Sequence, residues 1–96
     1  MGHPATFDPV KRIEAKIFRI NDRLARLADE QDVAEAELSA LRLIDADAQR
    51  DAMLGYDKLE ATSTHGDVRR FERVLLEIDR RRAWLLGRRQ RLLDRL

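Results

Sequence analysis

The sequence predicts an all-α fold: an antiparallel two-helix coiled-coil hairpin with a longer N-terminal helix that self-associates. Three observations predict it. Apolar residues recur in alternating steps of four and three along most of the chain. Charged residues make up 39% of the 96 positions and aromatics only 5%, the mix of long solvated helices with one apolar seam. A single cluster of turn-forming residues, over 61–66, interrupts the pattern.

Residues 1–8 are expected to be a flexible N-terminus and residues 9–96 a single helical-hairpin domain. Asp8-Pro9 is a helix start, an N-cap carboxylate followed by proline at the first helical position. The first helix is expected over about 9–60. Its seam reads Ile13, Ile17, Ile20, Leu24, Leu27, Gln31, Ala34, Leu38, Leu41, Asp45, Ala48, Ala52, Gly55 and Leu59. Asp32-Val33-Ala34-Glu35 has the form of a capping box, so the pattern also permits a break near 29–32. Ala61-Thr62-Ser63-Thr64-His65-Gly66 is expected to be the turn, with Thr64 as the next N-cap three residues before Asp67. The second helix then covers about 67–96, with a seam of Val68, Phe71, Leu75, Ile78, Arg82, Leu85, Arg89, Leu92 and Leu96.

Helices joined by a short turn pack antiparallel. A turn at 61–66 pairs Leu59 with Val68, Gly55 with Phe71 and Gln31 with Leu96, and it sets Asp45 against Arg82 as a register pair. In that register residues 10–30 overhang the second helix by about 30 Å at about 1.5 Å per residue. The overhang keeps its apolar strip, Ile13, Ile17, Ile20, Leu24 and Leu27 with Phe18 beside it. Such a strip is not left in water. It predicts a homo-oligomer built through those six residues, with a fold-back at 29–32 into a three-helix bundle as the alternative.

Charge is arranged in blocks. Residues 8–26 carry six basic and three acidic side chains, residues 29–60 three and ten, and residues 67–96 ten and five. The acidic arm is expected to lie against the second helix and neutralise most of its arginines. The open end stays basic: Arg12, Lys16, Arg19, Arg23 and Arg26 lie near Arg88, Arg89, Arg91 and Arg95. These are the candidate contacts to DNA phosphates or to an acidic protein face.

Little else in the chain points to chemistry. There is no cysteine, which removes disulfides and thiolate metal sites. The two histidines, His3 and His65, lack metal-ligand spacing, and there is no Gly-rich phosphate loop. Ser39 and Ser63 have no base and orienter near them in sequence. No catalytic residue, metal, cofactor or small-molecule substrate is expected, so the protein is expected not to be an enzyme. No apolar run reaches the roughly 18 residues of a membrane span, and a cytoplasmic location with no membrane partner is expected.

Two resemblances suggest a role. Tyr56, Gly66-Asp67-Val68, Phe71, Val74-Leu75-Leu76 and Ile78, running into Arg-rich heptads, resemble the hairpin of flagellar and type III export stalk proteins, which bind inside an export ATPase ring. The short hairpin with a self-associating N-terminal arm is similar to the oligomerisation core of phage-type small terminase subunits, which form rings, bind DNA and regulate a packaging ATPase. The helix-turn-helix that usually precedes that core is not present in this sequence. Both resemblances imply a non-enzymatic, oligomeric accessory to a separate ATPase subunit. The terminase-like role in DNA packaging, with non-specific DNA contact, is the first expectation. The export adaptor is the second, and a simple structural coiled-coil dimer is the plain alternative.

Overall fold

The computed structural model describes residues 8–96, and they form two helices, α1 (Pro9–Met53) and α2 (Lys58–Leu93). Residues 1–7 lie outside the described residues, and with them the expected flexible terminus and His3. The helices pack against each other as an antiparallel hairpin 83 × 22 × 15 Å in extent. No described helix is long and apolar enough to cross a membrane.

The start of α1 follows from its first two residues. The Asp8 carboxylate accepts from the backbone N–H groups of Val10 at 3.0 Å and Lys11 at 3.3 Å, and Pro9 supplies a preset helical φ. The helix then runs unbroken for 45 residues, so the capping-box pattern at 32–35 breaks nothing. Gln31 donates instead to Glu35 one turn later, at 2.9 Å.

The turn is not at 61–66. It occupies 54–57, and the expected bounds of both helices move with it. Leu54 and Gly55 N–H groups close the last turn of α1 onto the carbonyls of Arg50 and Ala52. Gly55 sits at φ +90°, a left-handed conformation that costs glycine nothing. Asp57 then caps α2 by accepting from the Glu60 N–H at 3.0 Å. The Thr/Ser/Gly run is helical. Thr62 Oγ1 donates back to the Lys58 carbonyl at 3.1 Å, while the single Thr64 hydroxyl proton is shared between the Ala61 carbonyl at 3.2 Å and a closer acceptor on α1, Asp45, at 2.8 Å. This back-bonding is how a helix accommodates hydroxyl residues.

Moving the turn slips the register by about two heptads. Gln31, expected opposite Leu96, accepts a hydrogen bond from Arg82 Nη2, fourteen residues earlier. Asp45, expected against Arg82, faces Thr64 instead, and Gly55 lies in the turn rather than over Phe71. A slip of whole heptads returns the same seam positions to the interface. The seam from Ile13 to Ala52 therefore survives, as does that from Val68 to Leu92, while Leu59 and Leu96 fall outside it at 83% and 58% exposure. Ala61 and Thr64 extend the second seam to the turn.

The slip also removes the overhang. Ile13, Ile20 and Leu27 are buried against Ile78, Leu85 and Leu92, with Ile17 and Leu24 packed at the edge of the same cluster. Of the six residues assigned to oligomerisation, five are therefore the hairpin's own core, and Phe18 alone stays exposed.

Candidate polyanion-binding face

Heptad geometry gives each helix two flanks beside its seam, and in an antiparallel pair like flanks share one face of the hairpin. On α1 the residues one position before each seam residue are Arg12, Lys16, Arg19, Arg23 and Arg26. On α2 the same offset selects Arg81, Trp84, Arg88, Arg91 and Arg95. Nine cations and one indole thus line one face of the open half. They flank a groove of about 490 Å³ in which Lys16, Arg19, Arg23 and Arg26 stand opposite Trp84 and Arg88. The groove continues toward the turn past Leu27, Glu30 and Arg81.

The face is only lightly neutralised. Among the described residues, Lys16, Arg19, Arg23 and Arg26 enter no ion pair, and Asp22 is the one carboxylate bordering the groove. Trp84 is 56% exposed at the centre, with the Arg88 guanidinium 5.6 Å from its ring centroid. An exposed indole holding a cation over its ring offers a stacking surface and a charge together. Arg81 is tied to Glu77 one turn back, at 3.4 Å.

The expected neutralisation of α2 by an acidic arm is not what forms. Its paired arginines find carboxylates on their own helix: Arg70 with Asp67, Arg80 and Arg81 with Glu77, and Arg82 with Asp79. Between the helices Arg42 pairs with Glu72 at 3.5 Å, and the His65 imidazole lies 3.7 Å from the Asp45 carboxylate. Residues 8–26 and 80–96, which pack together, hold thirteen basic and four acidic side chains, net +9; residues 27–79 hold six and fourteen, net −8. The hairpin is electrically bipolar.

Arg89 does not belong to the face. It lies in the seam and donates to Asn21 Oδ1 at 2.9 Å. It is one of three polar layers that punctuate the core, with Gln31–Arg82 and a cluster around Asp45.

That cluster is the other place where reactive side chain types meet. Asp45 accepts from Thr64 Oγ1 at 2.8 Å and from Gln49 Nε2 at 3.0 Å, and the His65 imidazole is 3.7 Å away. Gln49 Nε2 also donates to the Ala61 carbonyl at 2.9 Å. The hydrogen bonds from Gln49 and Thr64 hold the Asp45 carboxyl below the usual range; desolvation opposes them, and the nearby His65 adds a weaker lowering. Thr64 is buried, and the lowered pKa of Asp45 makes its carboxylate a weak base, so the pair is poorly suited to nucleophilic catalysis. The geometry is that of a lock across the two helices near the turn. Among the described residues no group of three or more His, Cys, Asp or Glu side chains is placed to hold a metal ion.

The seam residues and the basic residues were readable from spacing. Neither Arg81 nor Trp84 is among the expected contacts, although the same offset from the seam that selects Arg88 selects both. No protein-family model matches the chain, and no curated protein or solved structure matches it.

Proposed function

We propose that the protein is a non-enzymatic coiled-coil accessory whose open end binds the phosphate backbone of DNA. The observation that supports this is the face of nine cations around an exposed Trp84, four of them on α1 at heptad spacing without an internal partner. From Arg12 to Arg26 the α1 stripe spans about 21 Å at about 1.5 Å per residue, room for several successive phosphates. Arginine and lysine on a shallow groove contact backbone rather than base edges, so the binding is independent of sequence. The wider form of the proposal is a small-terminase-like role in which the basic end holds DNA for a separate ATPase subunit.

Fluorescence anisotropy on a labelled duplex of random sequence tests it. Engagement of about five phosphates gives a slope near −4.5 for log affinity against log salt, by the relation of about −0.9 per phosphate. Arg23→Glu combined with Arg88→Glu flattens that slope and weakens binding at least about tenfold, since each reversal converts an attraction into a repulsion. No binding at about 50 mM salt, where such contacts are strongest, would exclude the proposal.

A further inference from the structure

The basic face does not end at Arg26 and Arg81. Followed toward the turn, the same two flanks change sign. On α1 the same spacing continues through Glu30, Val33, Glu37, Ala40, Ile44 and Asp47. On α2, counting back from Arg81, it gives Glu77, Val74, Arg70 and Asp67. A groove of about 570 Å³ lies here, bordered by Val33 and Val74, which are 64% and 41% exposed, and by Glu30 and Glu77. One continuous face is thus basic at one end, apolar and acidic toward the other.

We propose that this face is covered by the same face of a second copy turned end for end, forming a two-fold, four-helix assembly. The axis crosses α1 between Glu30 and Val33 and α2 between Glu77 and Arg81. Those two points lie at one level of the hairpin, since Gln31 meets Arg82 there. On α1 this sets Arg26 opposite Glu37 of the second copy and Lys16 opposite its Asp47. On α2 Arg81 meets Glu77, Arg91 meets Asp67, and Trp84 lies over Val74. Arg88 against Arg70 is the one like-charge contact, softened by the ion pair Arg70 already makes with Asp67. A two-fold axis makes each pair occur twice, the self-complementarity an isologous contact requires. The overlap, residues 12–51 of α1, is about 58 Å long at about 1.5 Å per residue. Across a hairpin 22 Å wide its footprint exceeds the roughly 800 Å² per partner of a stable contact.

The second copy would present its carboxylates to the cations assigned above to DNA, so the two occupants exclude each other. That consequence rests on the preceding proposal; the dimer does not.

Analytical ultracentrifugation of the full chain from micromolar to millimolar concentration, without DNA and with Trp84 emission recorded in parallel, tests the dimer. A dimer is expected at low salt, weakened as salt rises, with the emission moving to the blue as Trp84 is covered. Arg26→Glu alone and Glu37→Arg alone each weaken it about tenfold, and the double variant, which restores the pair in both symmetric places, recovers most of the loss. The two residues are eleven positions apart and form no ion pair within the chain, so recovery reports on the contact between copies. Circular dichroism confirms that each variant stays helical. A monomer at every concentration overturns the dimer, as does a dimer that the double variant fails to recover. A monomer that binds DNA gives the face to DNA alone. A chain that dimerises yet binds no DNA even when diluted to the monomer overturns only the preceding proposal.

Discussion

Asp45 illustrates how a single seam position can choose a partner. A carboxylate facing a coiled-coil interface is costly unless every lone pair is met. Here Thr64, Gln49 and His65 meet it from two helices, and its side chain is only 16% exposed. Because the folded-state pKa is depressed, the unfolded chain binds the proton more tightly. The stabilisation is therefore fully present above the ordinary Asp value of about 3.9 and is lost as pH falls through the lower, folded value. Thermal melts followed by circular dichroism should show a melting temperature that declines from about pH 4 downward. Asp45→Asn should lower the melting temperature at neutral pH and make that acid decline shallower. An unchanged acid profile in the variant would show that other carboxylates carry it.

At the scale of the helices, the two glycines that compete for the turn behave oppositely. Gly55 sits at φ +90°, and an added Cβ is strained there although nothing stands within 4 Å. Gly66 is in mid-helix with open space around its Cα. Gly66→Ala should stabilise the hairpin by about 0.5–1 kcal/mol, and Gly55→Ala should destabilise it by about 1 kcal/mol, measured by urea unfolding. A turn at 61–66 would reverse the sign at Gly66. The same contrast explains what could be seen in the chain beforehand. Both seams are legible because burial at heptad spacing fixes them whatever the register. The register is not, because a slip of two heptads leaves Ile, Leu and Ala facing the interface as before, and only the turn decides. Composition favours the Thr/Ser/Gly run, but Gly55 followed by Asp57-Lys58-Leu59-Glu60 is the stronger signal: a left-handed residue, then a cap with an acid three positions on. The candidate face was half legible. Eight of its nine cations are legible one helix at a time, while Arg81 and the union with Trp84 need the true register.

Across the whole molecule, charge and packing are distributed in opposition. The open half gathers the like charges, net +9, and it also holds the large apolar core of Ile13, Ile20, Leu27, Ile78, Leu85 and Leu92. Each such side chain contributes about 1.5–3 kcal/mol when buried, which offsets repulsion between solvated charges. The half nearer the turn is packed more thinly, through Ala34, Ala48, Ala61 and Thr64 with Leu38 and Val68. A hairpin of this length touches itself only locally, so its ends can open separately. Native-state hydrogen exchange should therefore find the slowest amides around residues 17–27 and 78–89, within the open half, and faster exchange on the turn side of Ala48 and Ala61 despite the covalent link there. Salt screens the crowded cations, so added salt should slow exchange in the open half more than near the turn. Slowest exchange beside the turn would mean that closure of the chain, not the isoleucine and leucine core, sets where the hairpin is most stable.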